Sequence, residues 1–123
     1  MRVLVIDDDE MNRRVINDML SISVGRVDEA DGGKTGLEAM HREHYDLVML
    51  DLRMPQMDGF DVLRTMRSKE DELAKLPVIV ITADASPGLE KQCYEAGANA
   101  VMYKPILMQA MFDTMADVLE SVD

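Results

Sequence analysis

Five short apolar runs recur along the chain, and each is followed by a segment whose apolar residues have helical spacing. The first run is rich in β-branched residues, as is typical of strands covered on both faces, whereas the second is more polar and suits a sheet edge. The predicted strands span residues 3–6, 27–30, 47–50, 78–82 and 100–103. The predicted helices span residues 11–20, 33–44, 60–68, 86–97 and 106–122.

This regular alternation of strand and helix predicts an α/β fold. Right-handed crossovers between parallel strands place helices on both faces of the sheet, which gives a three-layer αβα sandwich. In the strand order 2-1-3-4-5 of flavodoxin-like sheets, strands 1 and 3 are neighbours, and the functional crevice lies at their carboxyl ends. The length of 123 residues suggests a single domain over residues 1–123.

Charge and cysteine content narrow the partners and the location. The chain has 13 basic and 24 acidic side chains, and its net charge of −11 disfavours direct contact with nucleic acid or an anionic membrane. Its one cysteine, Cys93, excludes an internal disulfide and fits a reducing compartment. The apolar runs are too short for a signal peptide or a membrane span. We therefore expect a cytoplasmic protein.

Side chains suited to phosphate chemistry stand at the ends of four predicted strands. Asp7 and Asp8 follow the first strand, Asp51 ends the third, Thr82 ends the fourth and Lys104 follows the fifth. Because the carboxyl ends of parallel strands share one edge of the sheet, a carboxylate cluster, a hydroxyl and an ammonium should converge there. Capping of the first helix would explain one aspartate after the first strand, but not several.

The carboxylate cluster predicts a site for Mg²⁺ (or Mn²⁺), because neighbouring carboxylates repel one another and a hard divalent cation relieves the repulsion. We expect Asp51 to be a nucleophile that takes up a phosphoryl group, with Lys104 neutralising charge and Thr82 donating a hydrogen bond. The predicted metal ligands are the carboxylates of Asp7, Asp8 and Asp51 and the backbone carbonyl of Arg53.

These residues resemble the receiver domain of two-component response regulators over essentially the whole chain. The resemblance rests on Asp7-Asp8, on Asp51-x-x-Met54-Pro55-x-Met57-Asp58-Gly59, on Thr82-Ala83 and on Lys104-Pro105. It implies that a histidine kinase or a histidine phosphotransfer protein donates phosphate to Asp51. It also implies that Asp7 and Asp8 help to bind Mg²⁺, that Thr82 and Lys104 sense the phosphoryl group, and that the Lys104-Pro105 bond is cis. The Asn12-Arg13-Arg14 stretch is similar to receivers attached to hybrid kinases.

In this family the usual output surface is the face of helix 4, strand 5 and helix 5, which we expect to bind an effector protein or a second copy of the chain. Methionines are frequent in this part of the sequence, and flexible methionines suit a surface that re-packs around partners. Core filling accounts for about half of them. The methionines concerned are Met102, Met108, Met111 and Met115.

Two details distinguish this chain within the resemblance. Val101 stands where the family often has Tyr or Phe, three residues before the lysine, so a Thr82-to-aromatic coupling is not implied; we expect Tyr103 to point to the opposite strand face. Arg53 and Asp84 occupy positions that tend in this family to control access of water to the acyl phosphate. We predict that these two side chains approach each other and slow hydrolysis.

Three other functions remain to be weighed. A phosphatase of the haloacid dehalogenase type carries a second acid two residues after its nucleophile, where this chain has Arg53. A flavodoxin-type flavin carrier would hold a phosphate in the first loop, which the aspartates there would repel. A docking module that never uses its phosphate would not need an intact site. We therefore expect a signalling switch that catalyses only its own phosphoryl uptake and loss and is not a turnover enzyme.

Overall fold

A computed structural model describes residues 1–121, in which five strands alternate with five helices. The strands are β1 (Arg2–Ile6), β2 (Arg26–Ala30), β3 (Leu47–Asp51), β4 (Val78–Thr82) and β5 (Ala100–Tyr103). The helices are α1 (Glu10–Leu20), α2 (Gly33–Arg42), α3 (Gly59–Arg67), α4 (Leu89–Ala96) and α5 (Met108–Glu120). A single 3₁₀ turn, Glu72–Ala74, precedes β4. None of these helices combines the length and apolar composition that a membrane span requires.

The strands form one parallel sheet in the order β2-β1-β3-β4-β5, which confirms the predicted fold class. Ile6 pairs with Leu50, and Thr82 pairs with Tyr103. The carboxyl ends of the strands are therefore nearly level. Residues that follow β1 and β3 emerge side by side, at the point where the chain direction across the sheet reverses.

Two apolar layers cover the two faces of the sheet. Alternate residues of β3 point into different layers, and all are buried, as expected for a central parallel strand. Val48 and Leu50 face the layer of α2, α3 and α4, whereas Leu47 and Met49 face the layer of α1 and α5. Cys93 of α4 is fully buried and serves as a packing residue.

The methionines of the last strand and helix divide between core and surface. Met102, Met111 and Met115 are buried in the layer of α1 and α5, while Met108 is exposed at the start of α5. Most of this group therefore fills the core, and Met108 alone of the four adds to the exposed surface.

The start of the fourth helix is a correction to the sequence prediction. Ser86 and Pro87 lie in a turn that is closed by a hydrogen bond from the Leu89 amide to the Ser86 carbonyl (3.2 Å). The helix begins at Leu89, after Gly88, whose φ of 83° lies in the left-handed region that favours glycine. The last helix begins at Met108, two residues later than predicted. Val122, its predicted end, lies outside the described residues.

Arg67, at the end of α3, joins two distant turns of the chain. Its half-buried guanidinium has no carboxylate partner within residues 1–121, and burial lowers the pKa of this group. Instead, it donates only to neutral oxygens, at distances of 2.8 to 3.3 Å. The acceptors are the carbonyls of Leu73, Ala74, Leu76 and Gly97 and the Asn99 side chain.

Candidate functional site

The carboxylates of Asp7, Asp8 and Asp51 gather at the carboxyl ends of β1 and β3. One oxygen from each lies within 4.8 Å of the others. Asp7 and Asp51 are buried, with 2% and 6% of their surface exposed, whereas Asp8 is exposed. The predicted cluster is therefore confirmed. Three hard carboxylate oxygens that are open to solvent on one side are the donor set that Mg²⁺ prefers.

The loop after β1 separates the capping role from the metal-binding role. Asp9 is the N-cap of α1, and its Oδ1 accepts from the amides of Met11 (2.9 Å) and Asn12 (3.4 Å). Capping of α1 therefore accounts for Asp9, in agreement with the expectation that capping would explain one aspartate of this loop. The carboxylates of Asp7 and Asp8 are left free to face the edge of the sheet.

Asp7 is held at each of its polar atoms. Its amide donates to the Ala30 carbonyl (3.1 Å), and its own carbonyl accepts from Arg13 Nη1 (2.7 Å). Its Oδ1 accepts from the Asp9 amide (2.9 Å), and its Oδ2 accepts from Lys104 Nζ (3.2 Å). The position of this buried carboxylate is thus fixed from the backbone outward.

Lys104 extends from the end of β5 into the carboxylate cluster. Its Nζ lies 3.2 Å from Asp7 Oδ2 and 3.5 Å from Asp51 Oδ1, so that one ammonium serves two carboxylates. Its amide donates to the Thr82 carbonyl (2.8 Å), and the Lys104-Pro105 peptide is cis, as predicted. The arrangement places a positive charge where a bound anion would need one.

The pKa of the Asp51 carboxyl is higher than that of an ordinary aspartate. Burial raises the pKa of the Asp51 carboxyl to about 6, and the charge of Asp7 adds to this effect. The Lys104 ammonium and a hydrogen bond from the Arg53 backbone oppose the rise. Most of the population is still ionised at pH 7, so the group can act as a nucleophile. A role for the Arg53 carbonyl as a metal ligand stays a prediction.

Thr82 is fully buried at the end of β4, the strand next to β3. Its Oγ1 accepts a hydrogen bond from the Asp84 amide (3.0 Å). A hydroxyl that accepts in this way keeps its own hydrogen for donation. The side chain can therefore donate to an oxygen placed near Asp51 while it still holds the following loop.

Arg53 and Asp84 meet beside the site, which confirms the predicted approach. Arg53 Nη2 lies 2.5 Å from Asp84 Oδ2 and so joins the loop after β3 to the loop after β4. Asp84 also accepts hydrogen bonds from the side chain and the amide of Ser86. The Ser86 and Arg53 contacts lower the pKa of Asp84 to about 2. The role of Ser86 was missed because Ser-Pro is a common start of a helix.

The loop after β3 folds closely under Asp51. A Cβ on Gly59 would lie 2.8 Å from Leu52 Cα and 2.9 Å from the Asp51 carbonyl oxygen, so only glycine allows this approach. Asp58 is the N-cap of α3 and accepts from the Asp61 amide (3.0 Å). The Asp-Gly pair thus begins α3 directly below the end of β3.

The position of Tyr103 is a second correction. Val101 is partly buried against the layer that contains α4, and the Tyr103 hydroxyl donates to Glu90 Oε2 of α4 (2.8 Å). Both residues therefore face the same side, because residues two apart in a strand share a face. Val101 is an aliphatic residue. Tyr103 links β5 to α4 from an exposed position.

Comparisons with known proteins identify what this chain is similar to. A family model described as the response regulator receiver domain matches residues 3–116. The sensory/regulatory protein RpfC of Xanthomonas campestris pv. campestris (strain 8004) is 39% identical over 98% of this chain, which spans only 17% of that relative's length. The chemotaxis protein CheY of Pseudomonas aeruginosa is 33% identical over 100% of this chain and 99% of its own length. A response regulator receiver protein from Pseudomonas putida has a TM-score of 0.86 at 26% identity, with 94% and 95% of the two chains covered.

Proposed function

The chain belongs to the response regulator receiver domain family, and from this we propose that it is a phosphoacceptor switch of two-component signalling. In this proposal Asp51 takes a phosphoryl group from a phosphohistidine of a histidine kinase or a histidine phosphotransfer protein. The observation that carries the proposal is the placement of the buried Asp51 carboxylate between the Asp7–Asp8 pair and the Lys104 ammonium.

Phosphoryl transfer to Asp51 needs positioning and charge neutralisation more than covalent help. An Oδ atom of Asp51 forms a bond to phosphorus while the P–N bond to the donor imidazole breaks, and the electron pair remains on the ring nitrogen. Lys104 contacts the phosphoryl oxygens, and Thr82 donates its free hydroxyl hydrogen to them. The carboxylates of Asp7, Asp8 and Asp51 would hold Mg²⁺ (or Mn²⁺), which when bound would supply further positive charge.

Loss of the phosphoryl group uses the same site. Water attacks the phosphorus of the acyl phosphate, the P–O bond to Asp51 breaks, and the Asp51 carboxylate is regenerated with release of phosphate. In this proposal the chain catalyses only its own phosphoryl uptake and loss, which is why we class it as a switch and not as a turnover enzyme.

Incubation with acetyl phosphate and Mg²⁺ tests this function. We expect one base-labile phosphoryl group per chain in the wild type, detected by intact mass. No phosphoryl group should be incorporated when EDTA is present from the start of the incubation. Asp51→Asn should incorporate none, whereas Asp18→Asn, which removes an exposed carboxylate of α1, should behave as wild type. Equal incorporation in Asp51→Asn, or none in the wild type, would refute the proposal.

The surface beside the site supports a protein as the natural phosphodonor. A donor has to approach Asp51 over the edge of the sheet, and there α1 and the loop before α5 expose apolar side chains. One of them, Val15, lines a shallow cavity of about 450 Å³ that Lys104 also lines. The exposed apolar residues are Met11 and Val15 of α1, together with Leu107 and Met108. Such a surface suits a docked helix or loop better than a small phosphate ester.

The Arg53–Asp84 pair is expected to lengthen the life of the phosphoryl group. We predict that Arg53→Ala combined with Asp84→Ala will speed dephosphorylation about two- to five-fold, since the contribution of an exposed ion pair of this kind is small. Loss of phosphate after removal of the donor measures the rate. Lys91→Ala with Glu95→Ala removes a comparable pair on α4 and should leave the rate unchanged. An unchanged lifetime in the first double variant would contradict this role.

We propose that the signal leaves through α4, β5 and α5. Thr82 holds the Asp84 amide, and Asp84 in turn holds Ser86, so a change at Thr82 reaches the loop that leads into α4. The Tyr103–Glu90 hydrogen bond then couples α4 to β5. Two-state rearrangement of such a loop is a common output of phosphorylation. The recipient would be an effector protein or a second copy of the chain. The cytoplasmic location stays a prediction.

A further inference from the structure

Arg13 lies against the loop that carries the acidic pair, on its β2 side. Its Nη1 donates to the Asp7 carbonyl (2.7 Å), and its Nε donates to Glu29 Oε1 of β2 (3.1 Å). The other oxygen of Glu29 accepts from Asn17 Nδ2 of α1 (2.8 Å). The Arg13 side chain is only 15% exposed. One guanidinium thus joins α1, β2 and the loop between β1 and α1.

We infer that Arg13 is a positioning residue for the divalent-cation site and that Glu29 holds it in place. The inference rests on the proposed function, which requires that site. The Asp7 carbonyl belongs to the same peptide plane as the Asp8 amide, so the Arg13 contact fixes the orientation of the Asp7–Asp8 peptide. The Asp7 amide is held separately by the Ala30 carbonyl.

Asp8 is the carboxylate that most needs this support. Within residues 1–121 its side chain has no hydrogen-bond partner, whereas Asp7 is held by the Asp9 amide and by Lys104. The direction of the Asp8 side chain is therefore set by its backbone, and Arg13 fixes that backbone on one side. Groups that orient metal ligands in this way affect metal affinity strongly, although they do not touch the ion.

Charge alone predicts the opposite effect from positioning. A guanidinium close to a cation site repels the cation, so that removal of its charge should tighten metal binding. Glu29 offsets this repulsion, since it pairs with Arg13. If Arg13 positions the Asp7–Asp8 peptide, its removal should weaken metal binding in spite of the lost repulsion. The sign of the change in affinity therefore separates the two explanations.

Titration of the full chain with Mn²⁺, with free Mn²⁺ measured by electron paramagnetic resonance, provides the test. We expect Arg13→Gln to raise the Kd for Mn²⁺ roughly ten-fold. Arg13→Lys can keep one of the two contacts, so its Kd for Mn²⁺ should lie between those of the wild type and Arg13→Gln. Glu29→Gln should also weaken binding. Arg14→Gln is the matched control, because Arg14 is 67% exposed and, within residues 1–121, pairs only with Glu10 at 3.9 Å, so it should bind as wild type or slightly tighter.

Binding by Arg13→Gln as tight as binding by Arg14→Gln would overturn the inference. Thermal unfolding without metal establishes that each variant is folded at the titration temperature. If Arg13→Gln does not fold, Arg13→Lys decides, because it keeps the positive charge and loses a contact, and wild-type affinity in that variant overturns the inference. If the wild-type chain binds no Mn²⁺, the divalent cation has no place in the proposed function, and the inference is refuted as well. If the wild type binds Mn²⁺ and the affinity of Arg13→Gln is unchanged, the inference is refuted but the proposed function is not.

Discussion

Replacement of Asp51 by asparagine is expected to raise the free energy of unfolding at pH 8 by about 3 kcal/mol in buffer without divalent cations. Burial and the charge of Asp7 raise the pKa of the Asp51 carboxyl from 3.8 to about 6. The ionised group is therefore less favourable in the folded chain than in the unfolded chain by this amount. Asparagine has nearly the same shape and carries no charge, so the variant escapes the penalty.

The gain in stability should depend on pH in a defined direction. Because the pKa of Asp51 is higher in the folded state, the folded chain holds this proton more tightly than the unfolded chain. The penalty is absent below the unfolded value of 3.8, grows as the pH rises to about 6 and is constant above that. The wild type and Asp51→Asn should therefore be equally stable near pH 4 and differ fully at pH 8.

Urea unfolding followed by circular dichroism at the two pH values measures this difference. Asp18→Asn, the exposed control, should match the wild type at both pH values. Added Mg²⁺ should stabilise the wild type at pH 8 and narrow its difference from Asp51→Asn. A difference that is equal at pH 4 and pH 8, or an Asp51→Asn variant that is less stable at pH 8, would contradict the buried-charge explanation.

Replacement of Arg67 by methionine is expected to destabilise the fold by about 3 kcal/mol and to lower Tm by about 10 °C. Methionine keeps most of the length of the side chain but donates no hydrogen bond. Carbonyls of the 3₁₀ turn, of the residues after it and of Gly97 would lose their common donor. Buried acceptors without a partner are unfavourable by about 1–3 kcal/mol each, and solvent can reach some of these after the change.

Arg64→Met is the matched control for this variant. Arg64 lies one turn earlier on α3, is 66% exposed and contacts Asp61 at 3.6 Å. Its replacement should change the free energy of unfolding by less than about 0.5 kcal/mol. Equal losses in the two variants would mean that removal of a positive charge from α3, and not the group of carbonyl contacts, determines the stability.

Sequence patterns predicted the site where local order determines position. Asp51, Thr82 and Lys104 each stand at or directly after the end of an apolar run, and parallel pairing brings such ends to one edge. The convergence of these three residues therefore follows from strand boundaries that are visible in the sequence. The Arg53–Asp84 contact was predicted on different grounds, from the family resemblance, and the structure confirms their approach.

Sequence patterns did not predict two groups of contacts, one between residues far apart in the chain and one within a single loop. Arg67 meets Gly97 and Asn99 thirty and thirty-two residues later, and no local periodicity marks such an acceptor. Ser86 was predicted as a helix cap because its neighbour is proline, but the carboxylate of Asp84 is a stronger partner for its hydroxyl. The Arg67 side chain is thus used by long-range contacts, and the Ser86 side chain by a local contact within the loop before α4.

The two ends of α4 are held very differently, and this has a mechanical consequence. Its last turn leads into Gly97, whose carbonyl is fixed by Arg67, while its first turn leaves from Gly88 and the loop beside Asp51. The eight residues of α4 form a rigid rod about 12 Å long that would pivot at its Gly97 end. A tilt of about 10° around the Gly97 end would move the opposite end by about 2 Å, so the displacement would be largest where α4 leaves the loop beside Asp51.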